Sequence, residues 1–143
     1  MQKTILITGC SGQLGYRLYH DLSAHFKENV IDTYKTHENK NKKLDLTSRV
    51  DFEHIFSTYT PDIIINCAAL TDVDYCEKNK NHCHAVNVEG LNKLISFSNI
   101  NTKIIHISTD YVFDGIKGGY DEECLTYPVN YYGKCKLESE NIL

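Results

Sequence analysis

Residues 4–15 read Thr4-Ile5-Leu6-Ile7-Thr8-Gly9-Cys10-Ser11-Gly12-Gln13-Leu14-Gly15, and the fold follows from how this stretch divides. The first five residues are a short β-branched run ending in glycine, which reads as a strand. Leu14, Leu18, Leu22 and Phe26 then recur every fourth residue, the apolar stripe of an amphipathic helix. A strand that hands over to a helix through three glycines opens a strand–helix–strand unit.

The same alternation continues along the chain. Val30-Ile31 opens a second short strand, and residues 36–43 carry no apolar side chain, which makes them an exposed loop. Leu44-Asp45-Leu46 reads as a third, very short strand. Thr47 or Ser48 is then placed to cap a helix bearing Val50, Phe52, Ile55, Phe56 and Tyr59. Pro61 ends that helix before Ile63-Ile64-Ile65, the strongest buried-strand signal of the chain. A further helix is predicted over 81–99, and Lys103-Ile104-Ile105-His106-Ile107 is the fifth strand. A loop with Gly115, Gly118 and Gly119 leads to a last helix beginning near Val129. Strands alternating with helices predict an α/β fold: one doubly wound parallel sheet of about five strands, with helices on both faces.

Composition narrows the function. The 143 residues fit one domain, and 41% hydrophobic against 24% charged residues is too apolar for a disordered chain. Fifteen Lys and Arg against 19 Asp and Glu argue against non-specific nucleic-acid binding. No apolar run approaches the roughly 18 residues that span a membrane. The six cysteines contain no CxxC pair, and without a signal sequence they imply free thiols in a reducing, cytoplasmic setting. Cys76 with His82-Cys83-His84 is the one cluster of soft ligands, but neighbouring helical residues point apart, so no metal site is expected.

The glycine turn carries the first chemistry. Gly9 suits a tight turn at the strand end, Gly12 a close backbone approach to a pyrophosphate, and Gly15 close helix–sheet packing. The helix N-terminus there favours an anion. The order is Gly-x-x-Gly-x-x-Gly rather than the commoner Gly-x-Gly-x-x-Gly. An acidic residue about 20 positions on would favour NAD through the ribose 2′-hydroxyl. Asp32 is the only carboxylate in that region and lies early, inside the strand, whereas Lys35 stands at the strand end. Lys35 is therefore placed to meet a 2′-phosphate, which favours NADP over NAD; it reads equally as a solvated loop charge. Asp45-Leu46 is placed to hold the adenine edge, with helix capping as the rival role of Asp45.

The second chemistry lies later. Ser108-Thr109-Asp110-Tyr111 follows the last strand, at the carboxyl edge where ligands of open α/β sheets bind. Tyr132 and Lys136 are four residues apart and share one helix face. A phenol is a poor proton donor–acceptor at neutral pH, and a neighbouring ammonium is expected to lower its pKa. Such a pair can exchange a proton with a carbonyl during hydride transfer, with Thr109 supplying a second hydrogen bond.

The segments ILITGCSGQLG (5–15), PDIIINCAALTDVDYCE (61–77), AVNVEG (85–90), HISTDYVFDG (106–115) and YYGKCKLESE (131–140) resemble the extended short-chain dehydrogenase/reductases, closest to the dTDP-4-dehydrorhamnose reductase branch. The resemblance implies a Rossmann-type NAD(P)-binding domain over 1–143 and a catalytic set of Thr109, Tyr132 and Lys136. It implies that Gly9, Ser11, Gly12, Gln13, Leu14, Gly15, Lys35, Asp45, Leu46, Ala68, Ala69, Thr71, Tyr132 and Lys136 contact the cofactor. It further implies that Asn87 supports the site, and that Asp110 and Tyr111 face a nucleotide-sugar whose C4 keto group is reduced. Cys67 departs from the family pattern, where a small residue is usual. Tyr132 and Lys136 stand 11 and 7 residues before Leu143. The family's later strands and substrate-binding region are thus expected to be missing from this stretch, leaving a sheet edge open to a homodimer mate or another partner. A non-catalytic regulatory subunit, like the β subunit of methionine adenosyltransferase, and an inactive fragment are the alternatives.

Overall fold

The structure, a computed structural model, describes residues 3–143, the Glu28 side chain apart. Four strands form the sheet: β1 (Ile5–Thr8), β2 (Val30–Asp32), β3 (Ile63–Asn66) and β4 (Lys103–His106). They lie in the order β2-β1-β3-β4, every pair parallel, with Leu6 opposite Ile31 and Ile64. Helices fill the crossovers: α1 (Gln13–Phe26), α2 (Arg49–Thr58), α3 (Val73–Lys78), α4 (Lys80–His84), α5 (Gly90–Phe97) and α6 (Tyr131–Glu140). A π-helical turn, Ala85–Glu89, joins α4 to α5.

The period-2 alternation of the strands decides which helix packs where. Leu6, Ile31 and Ile64 point to one face and bury Phe52 and Ile55 of α2 with Leu91 and Leu94 of α5. Ile5, Ile7, Val30 and Ile65 point to the other, against Leu18, Leu22 and Phe26 of α1. A third cluster lies past the strand ends, where Cys76, Cys83 and Val88 meet Tyr132 and Cys135 of α6. Ser48 caps α2 by accepting from Asp51 N, which removes the capping role from Asp45.

Three expectations are corrected. The sheet has four strands among the described residues, because Leu44-Asp45-Leu46 is not a strand. One parallel bridge, Tyr34 with Lys43, precedes it, and Leu44 and Leu46 are buried as core plugs in a loop. Leu14 is 44% exposed and leaves the α1 stripe, of which Leu18, Leu22 and Phe26 pack against the sheet. The last helix starts at Tyr131, with Asn130 as its cap, rather than near Val129, whereas the helix predicted over 81–99 runs through 80–97 with the π turn inside it.

β4 is the outer strand on its side, and its Ile105 is 40% exposed. No helix of the described residues is long and apolar enough to cross a membrane.

Candidate active site

The turn between β1 and α1 is built by close approach. Gly9 has φ +70°, and a Cβ on it would lie 2.8 Å from the backbone N and Cα of Ala68. A Cβ on Gly15 would lie 2.5 Å from the Gly9 carbonyl oxygen. These two glycines therefore let three backbone segments meet where β1, β3 and α1 converge. Cys10 N donates to Thr33 O and Gly12 N to Gly9 O, both at 2.9 Å, which fixes the loop. Gly12 caps α1 without any side-chain bond, so the first N–H groups of this 14-residue helix are not occupied by a capping side chain.

A cleft of about 250 Å³ opens over that turn. Of the residues assigned to the cofactor, Gly9, Ser11, Gly12, Lys35, Asp45, Leu46, Ala68 and Ala69 line it. Gln13, Leu14 and Gly15 form the first turn of α1 beside it, while Thr71, Tyr132 and Lys136 lie outside its walls. His82 and Val86, on the α4 side, line the cleft and were not singled out by sequence for it. The signal that points that way is their own spacing of four residues, which puts both on one helix face. His82, Cys83 and His84 also separate as helix geometry requires. His82 faces the cleft, Cys83 is buried beside Cys76, and His84 meets Glu138.

Charges around the cleft are ordered. Asp32 Oδ2 accepts from Lys42 Nζ at 2.9 Å and from the Tyr34 hydroxyl at 2.8 Å, so both of its partners come from the protein. That hydrogen bond raises the Lys42 pKa, while burial, then Asp32, raises the Tyr34 phenol. Burial would raise the Asp45 carboxyl, but bonds from Thr47 N and Oγ1, with Lys35 and Lys43 nearby, hold it below its usual value. Asn87 is buried and braces the loop after β3: its Oδ1 accepts from Leu70 N at 2.8 Å and its Nδ2 donates to Leu70 O at 3.0 Å.

Thr109 follows β4, and Tyr132 and Lys136 stand on α6, with Lys136 bonded to the chain just past the carboxyl end of β4. The Tyr132 and Tyr111 rings meet edge to face at 5.9 Å, and Asp110 is exposed beside them. Contrary to the tuning expected from sequence, the Tyr132 pKa is raised: burial pushes it up, and hydrogen bonding with Thr109 only partly opposes that. Lys136 is buried, and its Nζ donates to Ile107 O at 2.6 Å and lies 2.8 Å from His106 Nε2. Among the described residues no hydrogen bond joins Lys136 to Tyr132. Burial lowers the Lys136 pKa to about 8.

The glycine cradle fits a pyrophosphate, since Gly12 leaves the first N–H groups of α1 without a capping side chain, where an anion is favoured. Known proteins agree. The RmlD substrate binding domain family matches residues 2–143. A dTDP-4-dehydrorhamnose reductase of Aggregatibacter actinomycetemcomitans is 38% identical over 141 residues, covering 97% of this chain and 46% of that protein. The bovine methionine adenosyltransferase 2 subunit beta is 32% identical over 139 residues, covering 96% and 42%. Among solved structures, the Bacillus anthracis dTDP-4-dehydrorhamnose reductase in complex with NADP superimposes with a TM-score of 0.84 at 34% identity, covering 99% of this chain and 48% of that one. The chain spans about half the length of the relatives it matches. With fold, cradle and matched segments in agreement, the chain belongs to the RmlD substrate binding domain family.

Proposed function

We propose that residues 1–143 are the NADP(H)-binding and proton-donating part of a reductase that acts on the C4 keto group of a dTDP-deoxysugar, in the manner of dTDP-4-dehydrorhamnose reductases. The observation that carries this reading is the glycine-floored cleft over the N-terminus of α1, with Thr109 and Tyr132 on the same edge of the sheet. Gly9, Ser11, Gly12 and the first turn of α1 (Gln13, Leu14, Gly15) would hold the pyrophosphate. Asp45, Leu46, Ala68 and Ala69 would wall the adenosine side, with Thr71 beyond them. When bound, the nicotinamide supplies hydride to the keto carbon. Tyr132 gives the carbonyl oxygen its proton, Thr109 orients that oxygen, and Lys136 meets the nicotinamide ribose. Asp110 and Tyr111, both exposed, face the sugar.

NADP rather than NAD is favoured because Asp32, the carboxylate that would meet a 2′-hydroxyl, is already paired, whereas Lys35 lines the cleft. Calorimetric titration tests this. The chain is expected to bind NADPH more tightly than NADH, and Lys35→Ala to weaken NADPH about tenfold, the worth of one charge-assisted hydrogen bond, without changing NADH. Equal weakening of both dinucleotides would remove Lys35 from the 2′-phosphate, and binding of neither would end the reading. The free thiols of all six cysteines fit a reducing, cytoplasmic compartment. The exposed edge at β4 is the surface for a second copy or another partner.

A non-catalytic regulatory subunit is the second reading, favoured by the similarity to methionine adenosyltransferase 2 subunit beta and by the raised Tyr132 pKa. NADPH binding without turnover of the keto-sugar, with a stable partner recovered, would decide for it.

A further inference from the structure

A single file of hydrogen bonds crosses the carboxyl ends of β1, β3 and β4 and stops at Lys136. Ala68 N donates to Thr8 Oγ1 at 3.1 Å, and Thr8 Oγ1 donates to Asn66 Oδ1 at 2.6 Å. Asn66 Nδ2 lies 3.0 Å from His106 Nδ1, and His106 Nε2 lies 2.8 Å from Lys136 Nζ. Thr8 is fully buried and Asn66 nearly so, which makes an unmet donor or acceptor costly.

The file has a direction. Ala68 N–H can only donate, and reversing the Asn66 amide would add a second donor at Thr8 Oγ1 and leave the hydroxyl proton without its acceptor. Asn66 therefore keeps its oxygen on Thr8 and its NH₂ on His106 Nδ1. His106 must then carry its own proton on Nε2, which faces Lys136. An amine at Nζ can accept that proton; an ammonium would oppose donor to donor. We propose that Thr8 and Asn66 act through His106 as a directional chain that presents a donor to Lys136, so that His106 is the positioning residue favouring the free amine. This rests on the reading of Lys136 as a site residue.

The surroundings are consistent with it. His106 is held neutral by burial, then by Lys136, with its pKa lowered to about 4. Of the groups near Lys136, Glu140 on α6 is the one that favours the ammonium, and its carboxylate also accepts from Ser108 Oγ. Tyr132 on α6 belongs with Cys76 of α3 and Cys83 of α4 to one buried cluster. Asp110 flanks Tyr132 from the 110–112 turn, and Glu89 of the π turn pairs with His84.

Nitrogen-15 NMR of the His106 ring tests the proposal on the whole chain. At about pH 9, above the lowered lysine value, the Nε2–H tautomer is expected in the wild type. Thr8→Val keeps the shape but removes the hydroxyl that pins Asn66, so the Nδ1–H tautomer should grow and the pH midpoint of the tautomer change should rise by about one unit. Thr8→Ser should behave as wild type. An Nδ1–H tautomer in the wild type at that pH, or a Thr8→Val protein indistinguishable from wild type, would overturn the proposal. If Thr8→Val does not fold, the wild-type tautomer alone decides. NADPH titration is read separately: a protein that keeps the Nε2–H tautomer yet binds no dinucleotide leaves the hydrogen-bond file standing and removes the cofactor reading.

Discussion

Gly133→Ala is expected to destabilise the protein by about 3 kcal/mol, against the usual helix preference for alanine of about 1 kcal/mol. Gly133 sits in the first turn of α6, where its N–H donates to Asn130 Oδ1 at 2.7 Å. A Cβ there would fall well inside contact distance of the Tyr111 carbonyl oxygen and within 3.1 Å of Pro128 Cβ. Backbone cannot yield as a side-chain tip does, so either α6 or the 110–112 turn must move. The first carries Tyr132 and the second adjoins Thr109, and the same change should therefore separate the two hydroxyls. Urea denaturation checks the stability, and the near-ultraviolet signal of Tyr111 and Tyr132 checks the displacement. A loss under about 0.5 kcal/mol, the size of an ordinary surface substitution, would show that the approach is looser than described.

Lys136→Met works in the opposite sense. The folded pKa of Lys136 is about 8 against 10.5 in the unfolded chain, through burial. The unfolded chain therefore binds the extra proton, and stability rises with pH between those two values. Below the lower one the whole penalty, about 3 kcal/mol for some 2.5 units, weighs on the fold. Methionine fills similar volume without charge, while the Ile107 carbonyl and His106 lose a partner at a cost of about 1–2 kcal/mol. The variant should be more stable than wild type at pH 7 by about 1–2 kcal/mol and should lose that advantage by about pH 10. Its affinity for NADPH should fall about tenfold if Lys136 meets the ribose as proposed. Denaturation curves at both pH values and one titration measure all three. A variant less stable at pH 7 by the same margin as at pH 10 would mean that the lysine carries no burial penalty.

The glycine turn was legible because its meaning is local: a strand, three glycines and an apolar helical stripe dictate the junction whatever surrounds it. The isoleucines of β3 were equally plain, since a strand buried on both faces must be apolar throughout. Leu44-Asp45-Leu46 misled because two buried leucines look the same in a plugging loop as in a strand, and only backbone partners tell them apart. Of the cleft residues, Lys35 followed from its place after β2 and Ala68 from the family resemblance, while Asp45 was reached through a strand that is not there. The surroundings of Lys136 did not: the four-residue spacing puts it on the face of Tyr132, but Nζ is claimed by His106 and Ile107, 30 and 29 positions away. Burial of a lysine is itself a tertiary outcome that no spacing announces.

The π turn at Ala85–Glu89 makes one continuous helical stretch serve two masters. Before it, Cys83 points to the cluster around Tyr132; after it, Leu91 and Leu94 point to Leu6 and Ile64. Each helical residue advances the azimuth by about 100°, so the wider turn acts as a phase shifter between two surfaces that ordinary winding would leave out of step. Relaxing the turn to ordinary winding with all its residues kept would re-phase α5 against the sheet and swing both leucines out of the core, although neither leucine had been altered.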